Sequence, residues 1–362
     1  MGTPTVTAKT RLSQSHRLSR ADERVFKAFL VIQLPVGRYV SEDYAFGMAS
    51  LEDLYRLRRR PAVEKTIDAG FKLTSALLAT VVALVLLFIL YVVFTGALDS
   101  MGRYGWRFLV TSNWNPVKDE YGAFTAIYGT LITSLLSLLI AVPLGVGTAI
   151  FITENIIPRP IRSLIGLMVE LLAAIPSVVL GLWAIFVMEP FIRPGLEFLH
   201  AVLGWLPFFS TPPQGPGIAP AVLILVVMIL PIITAISRDA LNQVPIKLRQ
   251  AAYGVGTTRW GAILNVILPA AISGIVGGVM LALGRAMGET LAVTLIIGNS
   301  NTFSWSLLAP GNTISAMLAN QFGEADGSQV SSLMYAAFVL MLLTLAVNVL
   351  AQWLVKRLSL KY

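Results

Sequence analysis

The chain has 362 residues, of which 56% are apolar and only 13% charged, against roughly 25% charged in an ordinary soluble domain. Its formal net charge is +8, it has no cysteine, and its two histidines, His16 and His200, lie far apart, which leaves no disulfide framework and no Cys- or His-built metal site. This is the composition of an integral membrane protein, and the continuous apolar runs argue against a β-barrel, whose strands alternate lipid-facing and lumen-facing residues.

Residues 1–72 read as a basic cytoplasmic extension with a flexible Ser- and Arg-containing start around 11–24 and short helices between Val25 and Arg60. Its one apolar patch, Ala28 to Pro35, is too short for a signal peptide, so the first span is expected to act as an uncleaved signal anchor. The run Arg58-Arg59-Arg60 is expected to fix orientation and touch anionic membrane lipid.

Uncharged runs place the spans. Residues 73–98, 121–153, 201–237 and 327–355 hold no Lys, Arg, Asp or Glu; 163–188 holds only Glu170, and 260–323 only Arg285 and Glu289. About 20 apolar residues cross the hydrocarbon core, which predicts six helices near 73–96, 127–151, 164–187, 218–237, 272–298 and 332–355. The fold class is therefore all-α, and residues 73–360 form a six-helix membrane domain.

The connections have their own signals. Trp106, Trp114 and several tyrosines between Ala97 and Phe124 suit the membrane interface. Pro207, Pro212, Pro213 and Pro216 rule out one continuous helix between Glu189 and Gly217. Pro143, Pro176 and Pro231 are expected to kink spans two, three and four.

Of the 27 Lys and Arg, 22 fall before the first span or in alternate segments after it; Arg103, Arg107, Lys118 and Arg193 fall on the other side, and Arg285 remains. The positive-inside rule then makes both termini cytoplasmic, together with 152–163 and 238–271. The basic charge is thus explained by topology and needs no nucleic acid.

In the cytoplasmic segment from Gln243, Pro245 opens a predicted short helix, Gly254 and Gly256 break it, and Trp260 begins a second helix ending near Pro269. Such a helix, turn and helix suits a groove on a soluble partner, or serves as an ordinary interfacial loop.

Arg285 and Glu289 are the costliest feature of the chain. An arginine near a membrane helix centre costs about 2.5–3.5 kcal/mol on insertion scales, so it is expected to face a partner, a cavity or a substrate. A spacing of four puts the two on one helix face, and Gly278, Arg285, Glu289 and Ala292 are predicted to share one narrow stripe. Gly274-x-x-x-Gly278 and Gly284-x-x-x-Gly288 allow close helix approach, so this glycine-rich helix is expected to pack against its pseudo-symmetric partner. The two charges either neutralise each other as bundle glue or serve an anion path, in which the guanidinium fork grips an oxyanion and the carboxylate holds and tempers it. Thr290, Thr294 and Asn299 are further candidates to line the path, Glu170 is placed about two turns inside the third span, and Pro176 marks a gating kink there.

Gln250-Ala251-Ala252, Gly256 and Val266-Ile267-Leu268-Pro269 resemble the coupling loop of ABC importer permeases, with Gln250 in place of the usual glutamate and Val266 in place of isoleucine. Tyr121-Gly122-Ala123, Ile127-Tyr128-Gly129-Thr130 and the run from Leu138 to Pro143 resemble the second span of PstC-type permeases of the phosphate-specific import system. Glu170 to Ser177, Gly284 to Thr290, Pro310-Gly311-Asn312 and Ala319-Asn320 resemble the same family. The likeness covers roughly 73–360. It implies a type I importer permease fold, with a core unit about 125–356, in the cytoplasmic (inner) membrane of the cell. It implies phosphate as substrate, Arg285 and Glu289 on its path, and docking of an ATPase at Gln250, Ala251, Ala252, Gly256 and Pro269. It also implies as partners a homologous PstA-type permease, an ATP-binding-cassette ATPase dimer and an external phosphate-binding protein.

No P-loop is present: the lysines followed by threonine, Lys9 and Lys65, lack the preceding glycine. The chain is thus expected to bind no cofactor directly and to be no enzyme, ATP and Mg being used by the partner ATPase. The alternatives are a permease for sulfate or molybdate, an ATP-independent channel or secondary transporter, and a non-transporting scaffold or sensor.

Overall fold

In a computed structural model of the chain, six helices among the described residues are long and apolar enough to span a bilayer. The structure describes residues 62–154 and 156–358. The expected short helices between Val25 and Arg60, the Arg58-Arg59-Arg60 run and the C-terminal residues from 359 lie outside them.

Helix α1 covers Ala62–Tyr104. Its 43 residues exceed both the predicted 73–96 and the roughly 20 that a crossing requires. The described part of the first unit, up to Val81, is an exposed apolar helix carrying Ile67, Phe71, Leu73 and Leu77. The second unit, from Val82, contains the helical bundle. Within it the end of α1 meets the last span, α11 (Gly327–Leu358). A Cβ at Gly96 would lie 3.1 Å from Met334 Cγ, the Ser100 N–H donates to Ser331 Oγ (3.1 Å), and the Ser100 and Ser332 hydroxyls are 2.9 Å apart. Small residues admit the close approach, and hydroxyls hydrogen-bond across it.

After the short α2 (Arg107–Val110), Trp114–Asn115 (β1) pairs antiparallel with Glu120–Tyr121 (β2) around a turn. Phe108 stacks on Tyr335 at 4.4 Å between ring centroids, and the Trp114 indole donates to Gln321 Oε1 at 2.7 Å. This aromatic layer caps one end of the bundle.

The centre of the bundle is α6 (Ile218–Asn242), whose Ala221, Ile224, Ile229 and Ile233 are fully buried. It is flanked by α3 (Phe124–Thr153) and α8 (Arg259–Gly288). Glycines on both neighbours meet it: a Cβ at Gly145 would lie 2.8 Å from Ile233 Cγ2, at Gly274 2.6 Å from Ala240 Cβ, and at Gly278 2.9 Å from Ile236 Cβ. The predicted close approach through Gly274 and Gly278 is therefore made within this chain. Gly284 and Gly288 face open space. Pro143 and Pro231 lie inside α3 and α6 as expected.

The third span differs from its prediction. Residues before a proline are driven out of the helical region, and Ile175, with φ −73° and ψ 127°, is extended ahead of Pro176. The apolar stretch therefore divides. Arg159–Ala174 forms a separate amphipathic helix, α4, and the spanning helix α5 runs from Ser177 to Leu203, some 15 residues later than expected. Pro176 caps the start of α5 and kinks nothing. Of the predicted loop 189–217, the first part is helix, and Pro207 to Pro216 follow in an irregular connection.

The fifth span is shifted the other way. After α7 (Ile246–Gly254) and a turn at Gly256 (φ +80°), α8 begins at Arg259 and does not stop near Pro269. A π turn at Ile263–Ile267 stands where the Pro269 ring would meet the carbonyl four residues back, and the helix passes through. The same device at Ala184–Met188 precedes Pro190 in α5. Helix α8 ends at Gly288, well short of 298; after a break come α9 (Leu291–Ile296) and α10 (Ile314–Gln321).

Candidate translocation and coupling sites

The break between α8 and α9 holds the charged pair. Arg285 is in the last turn of α8, where the exposed carbonyls favour a cation. Glu289 follows the helix with extended geometry (φ −67°, ψ 125°). The predicted continuous stripe from Gly278 to Ala292 is thus interrupted, yet the two side chains still meet: Arg285 Nη2 lies 3.6 Å from Glu289 Oε2. The other carboxylate oxygen, Oε1, accepts the Ala292 N–H at 3.3 Å, satisfying a free donor at the start of α9. Glu289 is buried, with 7% of its side chain exposed, whereas Arg285 is 49% exposed.

The depth of the pair follows from its neighbours. Ala282 and Ala286 cluster with Val226, Ile229 and Ile233, around the middle of α6. The break is held from behind by Ser315, whose hydroxyl donates to Met287 O at 3.2 Å, and by Gly181, where a Cβ would come within 2.9 Å of Ala292 Cα. Gly288 and Thr290 border an open, largely apolar groove of about 500 Å³ shared with Ser315, Leu318, Phe322 and Met334. The Thr290 hydroxyl donates to Gly288 O (3.1 Å) and the Thr294 hydroxyl to Thr290 O (2.7 Å), which leaves their lone pairs but not their protons for a ligand. Asn299, in the left-handed region at φ +50°, donates to Thr294 O and fixes the loop after α9.

Glu170 has its partner elsewhere. It sits on α4 with 65% of its side chain exposed, and its Oε1 accepts from Arg238 Nη1 at 3.4 Å near the end of α6. The expectation that it is inside the third span is therefore corrected: the break at Pro176 moved it onto a surface helix.

The second site is the connection between α6 and α8. Gln250 and Ala251 are exposed on α7, while Ala252 is buried. Thr257 donates its hydroxyl to Ala252 O at 2.7 Å, and Thr258 caps α8 by accepting from the Gly261 N–H at 3.2 Å. Gly256 supplies the positive φ that lets the chain reverse between them, a conformation costly for any other residue. Pro269 lies beyond, inside α8.

Two ion pairs went unread in the sequence. Arg249 bonds through Nη1 to Glu154 Oε1 and through Nη2 to the Leu241 carbonyl at 2.6 Å, which joins α7 to the ends of α3 and α6. Glu189 and Arg193 pair at 3.1 Å within α5, beside the turn at Gly215 (φ +112°). The available signal for the first was Glu154 itself, the charge that closes an uncharged run of 33 residues.

Residues 141–360 match the family model described as binding-protein-dependent transport system inner membrane component. A phosphate transport system permease protein PstC from Mesorhizobium japonicum is 44% identical over 315 residues, covering 83% of this chain and 96% of the relative. The protein of the same name from Pasteurella multocida is 40% identical over 316 residues, covering 84% and 98%. A solved structure of a bacterial ABC transporter involved in import of the acidic polysaccharide alginate superposes with a TM-score of 0.51 at 16% identity, covering 83% of this chain and all of that one; the likeness is one of fold.

Proposed function

Because the chain belongs to the binding-protein-dependent transport inner membrane family, and within it to the PstC-type permeases, we infer that it is a membrane permease subunit of an ABC importer for inorganic phosphate. The observation that carries this is the 44% identity extending over 96% of a PstC protein. The chain is a multi-pass membrane protein of the inner membrane, and its part in the cycle is transport, not hydrolysis.

In this reading the half-exposed Arg285 meets the anion with its planar fork, while buried Glu289 orients the guanidinium and limits its hold. The side of Arg285 left open in this chain is the side a homologous PstA-type permease covers, which closes the path around the groove. Thr290 and Thr294 line it with lone pairs. The exposed Gln250 and Ala251 on α7 dock an ATP-binding-cassette ATPase dimer, which uses ATP and Mg, with Ala252, Gly256 and Pro269 holding the loop in shape. Both termini and this loop face the cytoplasm, as the placement of Lys and Arg favours. Residues 1–72 form an extension ahead of the permease unit, and an external phosphate-binding protein delivers the substrate.

The test is labelled phosphate uptake into proteoliposomes holding the co-expressed complex. Arg285→Ala is expected to lower uptake by about tenfold or more, as follows from losing hydrogen bonds to a charged group worth about 1.5–3 kcal/mol each. Uptake by the chain without an ATPase, or undiminished uptake by the variant, contradicts the reading.

A further inference from the structure

We propose that the Glu154–Arg249 ion pair is the joint through which movement of α7 reaches the transmembrane bundle, Arg249 acting as a positioning residue for the coupling loop. The proposal rests on the reading of α7 as the ATPase-docking helix. Glu154 directly follows α3, whose last turn binds its backbone N–H through Ile150 O at 2.9 Å. Its side chain is only 6% exposed and that of Arg249 20%, so the pair is shielded from water and from screening salt. Arg249 does not bind Glu154 alone: its second Nη grips Leu241 O near the end of α6. One guanidinium thus ties α7 to the ends of two spanning helices.

The surroundings make the tie stiff. Ile150, Ala240, Leu241, Val244, Ile263 and Ile267 form one buried cluster around it. The loop after α7 is closed by Thr257 on Ala252 O and by the glycine turn at 256. Helix α3 in turn reaches the region of the charged pair: the Thr130 hydroxyl accepts the Ile314 N–H at 3.0 Å, and Ser315 holds Met287 O. A displacement of α7 therefore has a continuous packed route to the end of α8. A buried pair broken by removing one partner leaves an uncompensated charge, which explains why the joint must act as a unit.

The experiment is a double-mutant cycle in the reconstituted complex, reading phosphate moved per ATP hydrolysed and the amount of ATPase co-purified. Glu154→Gln and Arg249→Gln are each expected to lower phosphate per ATP about tenfold, within the usual range of coupling between sites, and the double variant to be no worse than either. Because the chain has no cysteine, a Glu154→Cys, Arg249→Cys chain bridged by a short bis-thiosulfonate linker provides an independent check: bridging should restore the ratio, and reductant should abolish it again. An unchanged ratio in the single variants, additive losses, or loss of co-purified ATPase without rescue by the linker each overturns the proposal. If the unaltered complex shows no ATP-driven uptake, the importer reading itself fails.

Discussion

Arg285 and Glu289 are held 3.6 Å apart across the end of α8, with the arginine half exposed and the carboxylate buried. In the proposed reading, this asymmetry leaves the contact with a ligand to the arginine. Glu289 has a second duty, because its Oε1 caps α9 through the Ala292 N–H.

That division separates charge from fold at one position. Glu289→Gln keeps an acceptor for the Ala292 N–H and loses the charge and the ion pair with the half-exposed Arg285, so melting of the purified chain should fall only slightly, by about 0–1 kcal/mol. Phosphate at neutral pH still has a proton to donate to a carboxylate, whereas sulfate has none. The hypothesis that Glu289 discriminates on this basis predicts a reduced phosphate-over-sulfate ratio in the Gln variant during reconstituted transport; an unchanged ratio sinks it. Glu289→Ala should in addition lower stability by about 0.5–2 kcal/mol, as for other lost helix caps.

The glycines of α8 should respond differently to substitution. Gly278→Val places branched carbon where Ile236 already lies 2.9 Å from the first added atom, and overpacking of this kind costs about 1–3 kcal/mol. Gly284→Ala meets nothing within 4 Å and gains helix propensity, about 1 kcal/mol at most. Thermal melting of the purified chain should fall for the first and hold or rise for the second.

Glu170→Gln should leave phosphate uptake at the unaltered level. Its carboxylate is exposed, and Arg238, itself part-buried, keeps Asp239 as a second partner at 3.5 Å; pairs of this kind contribute about 0–1 kcal/mol. A loss of uptake of tenfold or more would show that α4 has a part in gating that its geometry does not suggest.

Gly256→Ala should weaken retention of the ATPase during co-purification. The turn at φ +80° places a side chain in the left-handed region, at a cost of about 1–2 kcal/mol, and the strain falls on the link between α7 and α8. Retention equal to the unaltered chain would show that the loop tolerates a different turn.

Membrane class and the number of spans were legible in the sequence because each depends on local quantities, the length of an apolar run and the charges that bound it; the loop after α6 stood out only through its resemblance to a coupling loop. Arg285 and Glu289 were visible as charges in 64 otherwise uncharged residues. What only the tertiary structure decided was where the third and fifth helices break and what their ends hold. Prolines alike in sequence end up differently: Pro176 starts α5, Pro269 is carried inside α8 behind a widened turn, and Pro143 and Pro231 sit within α3 and α6. Glu154 and Arg249 stand 95 positions apart, and no periodicity joins them. Their meeting follows from the packing of α3 and α8 on α6, where glycines of α3 and α8 admit the close approach that brings the helix ends together.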